Sequence, residues 1–337
     1  MALVDLVDSV RSLILSYSAE DDATFRRGVD SIIRALVAQN RPAEAKSLRD
    51  ALKSLDARPP KRLVKGGASL QVLSQRSSGL ISFPDRQSLS DMVFDLETQS
   101  TLDEVIREHG CSAKLAESGM SPRNRLLFWG PPGCGKTAAA GWLAQELGMP
   151  CGVVRLGSLI TSYVGETGAN IDKVLRTAEE TPMVLLIDEA DAIAKSREDE
   201  NDVGELRRVV NSLLQGLDSF SGRESILVLA SNHSSTFDEA VWRRFDAILQ
   251  FPLPGPKERL TLLKKLTSGV KVRGSLSELA KKLSGTSFAE IERAVIDVAR
   301  KLVVNNRKTA TTADILECLK EWKQRTSAAA RKRARRK

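Results

Sequence analysis

The chain is 337 residues long, 42% hydrophobic and 28% charged, a composition of water-soluble globular proteins at a length that predicts more than one domain. No apolar run approaches the ~20 residues of a membrane helix, and MALVDLVDSV carries acids among its apolar residues, so neither a membrane span nor a signal peptide is expected. The net charge of +8 belongs to the tail: Arg325, Arg331, Lys332, Arg333, Arg335, Arg336 and Lys337 face no acid within 325–337, and the remainder is close to neutral.

In chain order, Leu3, Leu6, Val7, Val10, Leu13 and Ile14 recur at helical spacing, as do Val29, Ile32, Ile33, Leu36 and Val37 within Phe25–Gln39. Pro42 suits the first turn of a third helix, Pro42–Leu55. The spacing predicts a helical bundle over 1–55, too small to be robust alone, that serves as a partner-docking module or as a structural cap. Residues 56–88 are rich in Pro, Lys, Arg, Gly and Ser and read as a linker, with a short strand at Leu70–Leu73. A helix over Leu102–His109 follows.

Leu126–Thr137, LLFWGPPGCGKT, then reads as a buried strand, a glycine-rich turn and a helix start at Lys136. The pattern G-x-x-x-x-G-K-T is a phosphate-binding loop. Gly133 and Gly135 allow consecutive N–H groups to face one concavity on a helix N-terminus, where an anion is favoured. Lys136 is placed to reach the outer phosphates, and the Thr137 hydroxyl to hold Mg²⁺.

Beyond it the spacing predicts a helix to Leu147 ended by Gly148, a strand over Cys151–Leu156 and a helix over Ile171–Glu179. A buried strand at Pro182–Ile187, a helix over Leu206–Leu217 and strands at Ser225–Ala230 and Ile248–Phe251 follow. Strands alternating with helices predict an α/β domain, a doubly wound parallel sheet over 89–255, with its ligand at the carboxyl ends of the strands. From Pro256 the pattern is helical: Lys257–Thr267, Ser275–Leu283, Phe288–Asn305 and Thr312–Gln324 predict a small four-helix domain over 256–324. The basic residues 325–337 are expected to be disordered when free. Cys111, Cys134, Cys151 and Cys318 lack metal-ligand spacing and read as reduced thiols, which places the chain in the cytoplasm.

The chemistry lies at strand ends. Asp188 and Glu189 close the LLIDE run, where the first suits Mg²⁺ through its water shell and the second suits polarising an attacking water. Asn232 follows the next strand, where an amide can hold that water or touch the γ-phosphate, although an Asn there is also an ordinary turn residue. His233 reads as its turn neighbour. Arg243 and Arg244 stand between apolar anchors as a solvated face or as arginines that stabilise a transferring phosphoryl group, in one chain or in trans.

GPPGCGKT, LLIDEAD, ASNH and DEAVWRRFD occur in the order and approximate spacing of the AAA ATPases, and residues 89–320 resemble that family. The resemblance is greatest to the clade of katanin, spastin and the membrane-anchored metalloprotease ATPases, and within it to small single-ring bacterial AAA proteins. It implies that Gly130, Pro131, Pro132, Gly133, Cys134, Gly135, Lys136 and Thr137 form Walker A. Asp188 and Glu189 then form Walker B, and Asn232 is sensor 1. Arg243 and Arg244 are fingers acting on the neighbouring subunit's ATP. Gly285–Ala294 resembles the lid segment whose backbone lies near adenine, so Gly285 and Ala289 become candidate contacts, with Phe288 standing where the family has Gly. Met92 and Val93 fall where its adenine-contacting strand begins. Tyr163, Val164 and Gly165 match an aromatic pore loop, and 195–205 either matches a second pore loop or is a solvated connection.

The resemblance therefore implies a Mg²⁺-dependent ATP hydrolase forming a homohexamer that threads polypeptide through a central pore. The N-terminal helices would choose a partner. No H-E-x-x-H or G-x-S-x-G occurs in the chain, so any protease would be a separate protein, as for bacterial relatives that look paired with one. The alternatives are a nucleic-acid-associated AAA loader or regulator, favoured by the basic tail, and a switch that binds ATP without translocating. The tail itself suits nucleic acid, an acidic protein or a solubilising end.

Overall fold

A computed structural model describes residues 79–83, 92–157, 167–191, 203–222, 224–233 and 239–334. The helical bundle expected over 1–55 and the strand expected at Leu70–Leu73 lie outside them, as do Tyr163, Val164, Gly165 and most of 195–205.

Five parallel strands form the central sheet: β1 (Arg125–Trp129), β2 (Cys151–Arg155), β3 (Val184–Asp188), β4 (Ile226–Ser231) and β5 (Ala247–Gln250), in the order β2-β3-β4-β1-β5. The chain starts near the middle, runs out to β2, returns through β3 and β4, and crosses β1 to reach β5. Strand residues alternate between two covered faces, which is why the apolar runs are nearly unbroken. Leu126, Phe128, Leu186 and Val228 pack under α1 (Leu96–Gly110) and α3 (Lys136–Leu147). Leu127, Leu185, Ile187 and Leu229 pack under α4 (Thr167–Glu180) and α5 (Val203–Ser219). A short helix, α2 (Ser112–Glu117), joins α1 to β1, and α6 (Glu239–Trp242) joins β4 to β5. The doubly wound α/β expectation is met.

Capping chemistry moved one boundary and kept another. The first helix begins at Leu96, six residues before the expected Leu102, because the Asp95 side chain accepts the N–H groups of Glu97 and Thr98. Gly148, at φ 69°, ends α3 as expected. The linker expected over 56–88 contributes to the core. Ile81 is buried, and Ser82 exchanges backbone bonds of 2.9 and 2.7 Å with Val153 on the outer edge of β2. Gly152 makes room for this, since a Cβ there would lie 2.7 Å from Ile81.

The second layer of the chain is the expected helical domain: α7 (Pro256–Leu266), α8 (Leu276–Lys282), α9 (Phe288–Val304) and α10 (Thr312–Ala334) around Leu263, Leu279, Ile291, Val298, Ile315 and Leu319. It also carries a two-stranded parallel ribbon, β6 (Lys271–Arg273) against β7 (Thr309–Thr311), that was not expected. The last helix does not stop at Gln324. Its backbone runs on to Ala334, because Ser327-Ala328-Ala329-Ala330 contains no breaker and alanine is the strongest helix former. Among the described residues, no helix is long and apolar enough to cross a membrane.

Candidate nucleotide site

Three strand ends meet at the carboxyl edge of the sheet. Trp129 pairs in register with Ser231, and β3 ends beside them at Asp188. The Gly130 N–H bonds the Ser231 carbonyl at 3.2 Å, and the Ala190 N–H bonds that of Ala230 at 3.0 Å, so the ladder continues into the loops. Gly130 has φ 145°, and a Cβ there would lie 2.2 Å from the Phe251 carbonyl oxygen, so only glycine fits. This is the point where the chain reverses direction across the sheet, the crevice in which α/β sheets bind ligands.

Lys136 opens α3 and is only 6% exposed. Its Nζ donates to the carbonyls of Gly130 (2.6 Å) and Pro131 (3.0 Å) and to Asn232 Oδ1 (3.0 Å). Burial lowers its pKa below the ordinary lysine value, against the opposing charges of Cys134, Asp188 and Asp191. The ammonium is thus held over the loop by three oxygens that a phosphate can replace. Cys134 turns inward and joins the core under α1 and α3, so it can serve a ligand only through its backbone.

The Thr137 hydroxyl donates to Asp188 Oδ2 at 2.7 Å, and the Glu189 N–H to Asp188 Oδ1 at 2.8 Å. A hydroxyl and a carboxylate oxygen side by side form the hard donor set that Mg²⁺ takes beside a phosphate. The residues present therefore fit the ion. Glu189 stands exposed at φ 60°, a left-handed conformation that costs a non-glycine residue roughly 1–3 kcal/mol and marks functional turns.

Asn232 is held from two sides. Its Oδ1 faces Lys136, while its Nδ2 and backbone N–H donate to Asp191 Oδ1 at 3.3 and 3.4 Å. Asp191 is 9% exposed and was not singled out from sequence. The Ala190 bond to β4 turns the chain so that this acid returns toward Asn232, and the charges on either side fix which way the amide points. His233 is exposed in a turn, its N–H on Ser231 Oγ at 3.2 Å.

The helical domain reaches the loop at the start of α9. The Ala289 N–H donates to the Gly133 carbonyl at 3.1 Å, and a Cβ on Gly133 would lie 2.9 Å from Ser287 Oγ and 3.0 Å from Ala289 Cβ. Ser287 and Glu290 form a capping box that fixes this helix end. Gly285 has φ 73° with open space around it, so it serves the turn and is not itself in contact. Met92 packs on the core, its Cε 3.5 Å from a Cβ built on Gly135, and Val93 is half-buried beside it.

Arg243 and Arg244 form ion pairs elsewhere. Arg243 pairs with Glu239, both side chains largely exposed, and Arg244 pairs with Asp218 at 2.9 Å. Tyr163, Val164 and Gly165 belong to the residues not described.

A model of the AAA family, the ATPase family associated with various cellular activities, matches residues 126–253. An AAA family ATPase of Sinorhizobium fredii, y4kL, is 34% identical over 326 residues, 96% of this chain and 97% of the relative. The proteasome-activating nucleotidase of Pyrococcus horikoshii is 34% identical over 205 residues, and the zinc metalloprotease FtsH of Lancefieldella parvula is 32% identical over 238. These alignments span 51% and 37% of those two relatives. Among solved structures, the AAA domain of FIGL-1 in complex with ADP superposes with a TM-score of 0.59 at 21% identity, covering 75% of this chain and 91% of that one, which supports the fold.

Proposed function

We propose, from the premise that the chain belongs to the AAA family of ATPases, that it is a remodeller which uses ATP hydrolysis to pull on polypeptide. The chain is an ATPase and binds nucleotide by family membership; the division of labour among its residues is our reading. Gly133, Cys134 and Gly135 offer backbone N–H groups to the phosphates, while Gly130, Pro131 and Pro132 shape the loop. Lys136 exchanges its carbonyl and amide partners for phosphate oxygens. Thr137 and Asp188 hold Mg²⁺, which when bound offsets the charge on the phosphates. Glu189 takes the proton of the attacking water, and Asn232, aimed by Asp191, orients that water or the γ-phosphate. Met92, Val93 and Ala289 border the base, with Gly285 shaping the turn.

The observation that carries the assembly is the placement of Arg243 and Arg244. They stand exposed or half-exposed in surface ion pairs, and a second copy of the chain would bring them to a phosphate loop. The proposed assembly is a homohexameric ring, with Arg243 and Arg244 as arginine fingers and Tyr163, Val164 and Gly165 as the loop that grips polypeptide. The kinship with a proteasome-activating nucleotidase supports a polypeptide substrate, and a separate protease is the partner class it suggests. We place the work in the cytoplasm, with the segment 1–55 choosing the partner. ATPase stimulation separates this reading from its runner-up, a nucleic-acid loader using the basic tail. The rate should rise with an unfolded protein such as carboxymethylated casein and not with DNA; the reverse result sinks the remodeller.

A further inference from the structure

Two tryptophans link the halves of the site. Trp129 is the last residue of β1, immediately before Gly130 of the phosphate loop. Trp242 is the last residue of α6, immediately before Arg243. Their rings meet edge to face, centroids 6.0 Å apart at 75°. Both are half-buried.

The rest of the arginine turn is anchored apart from the loop. Val241 and Phe245 are buried in the core under α4 and α5. Asp246 accepts the backbone N–H groups of Asn124 and Arg125 at 3.1 and 3.0 Å, at the opposite end of β1. Trp242 packs on the edge of that same core, and its ring also reaches Trp129 at the loop end of β1. On the loop side, the Phe251 N–H holds the Trp129 carbonyl at 2.7 Å, and Gly130 follows in a conformation closed to side chains. A shift of the loop on filling has a direct path to Trp129, and from its ring to the residue preceding the arginines.

We infer that Trp129 and Trp242 are positioning residues that couple the filling of a subunit's own phosphate loop to the presentation of its Arg243 and Arg244 to the neighbour. This rests on the reading of those arginines as acting in trans. Neither tryptophan touches the reacting atoms, so their loss should leave nucleotide binding intact and slow turnover.

The test compares Trp242→Ala, Trp242→Phe, Trp129→Leu and the Trp129→Leu/Trp242→Ala double variant in the assembled protein. Turnover is measured beside the affinity for a fluorescent ATP analogue. Trp242→Ala should lower kcat about tenfold with affinity within about twofold of the parent, the size of effect expected of a coupling contact. Trp242→Phe should retain most of the rate, since its ring keeps an edge for Trp129. The double variant should be no slower than Trp242→Ala alone. Additive losses in the double variant, an unchanged kcat, or affinity lost along with rate would each overturn the coupling. The underlying reading has its own check. Mixing Arg243→Ala/Arg244→Ala subunits with Lys136→Ala subunits should restore activity that neither has alone, and no recovery overturns the shared site and this inference with it.

Discussion

The phosphate-loop half and the arginine half of the proposed site are built in opposite ways. On the loop side Lys136, Thr137 and Asn232 are engaged inside one chain. Lys136 is buried and bonded to three oxygens, Thr137 is bonded to Asp188, and Asn232 is held between Lys136 and Asp191. On the other side, the Arg243 side chain is 74% exposed and its partner Glu239 80%. Exposed pairs of this kind contribute about 0–1 kcal/mol, so releasing Arg243 to a phosphate costs little. The difference teaches where preorganisation is needed. A loop that must bind nucleotide unaided is fixed by its own chain, while arginines that act only on contact can be parked loosely until a partner arrives.

The sharpest way to break that contrast is to remove the loose half. Arg243→Ala and Arg244→Ala should lower kcat by roughly 10³-fold, the scale of arginine fingers, with nucleotide affinity kept. Loss of affinity on an equilibrium titration would show that the arginines belong to the chain's own pocket. Within the fixed half, Glu189→Gln should keep ATP binding and lower turnover by roughly 10²-fold or more. Hydrolysis at the parent rate would remove Glu189 as the base.

The smallest effect concerns the anchor that keeps the arginine turn on β1. Burial alone would raise the Asp246 pKa, but hydrogen bonds from the Arg125 side chain and from the Asn124 and Arg125 N–H groups outweigh it, and the net shift is downward. A lowered carboxylate pKa stabilises the fold above the ordinary value of 3.8 and loses that contribution as pH falls below it. Asp246→Asn should cost about 1 kcal/mol at pH 7, kept small by partial exposure. Denaturant titrations should show the gap to the parent closing as pH falls below 3.8, and a gap independent of pH would contradict the anchor.

Much of this contrast was legible in the residues. LLFWGPPGCGKT and LLIDE announced themselves because a buried parallel strand leaves an unbroken apolar run, and a phosphate loop needs glycine where a side chain would clash. Asp191 was hidden in the same run, because its role depends on the Ala190 bond to β4 and on meeting Asn232 from a different strand. The Trp129–Trp242 contact joins residues far apart in sequence, which no local period encodes. β6 and β7 have three residues each, too few for alternation to register. Ile81 sits in a polar stretch whose composition outweighed a single buried side chain. In the tail, the alanines beneath a run of charges carry the helix on to Ala334.

The central claim is that one chain holds only half of a working site. The most direct measurement is ATP turnover per subunit across a dilution series, with mass photometry reporting assembly at each concentration. The account predicts that turnover per subunit follows the assembled fraction and vanishes in the monomer. A monomer that hydrolyses ATP at the assembled rate would contradict it.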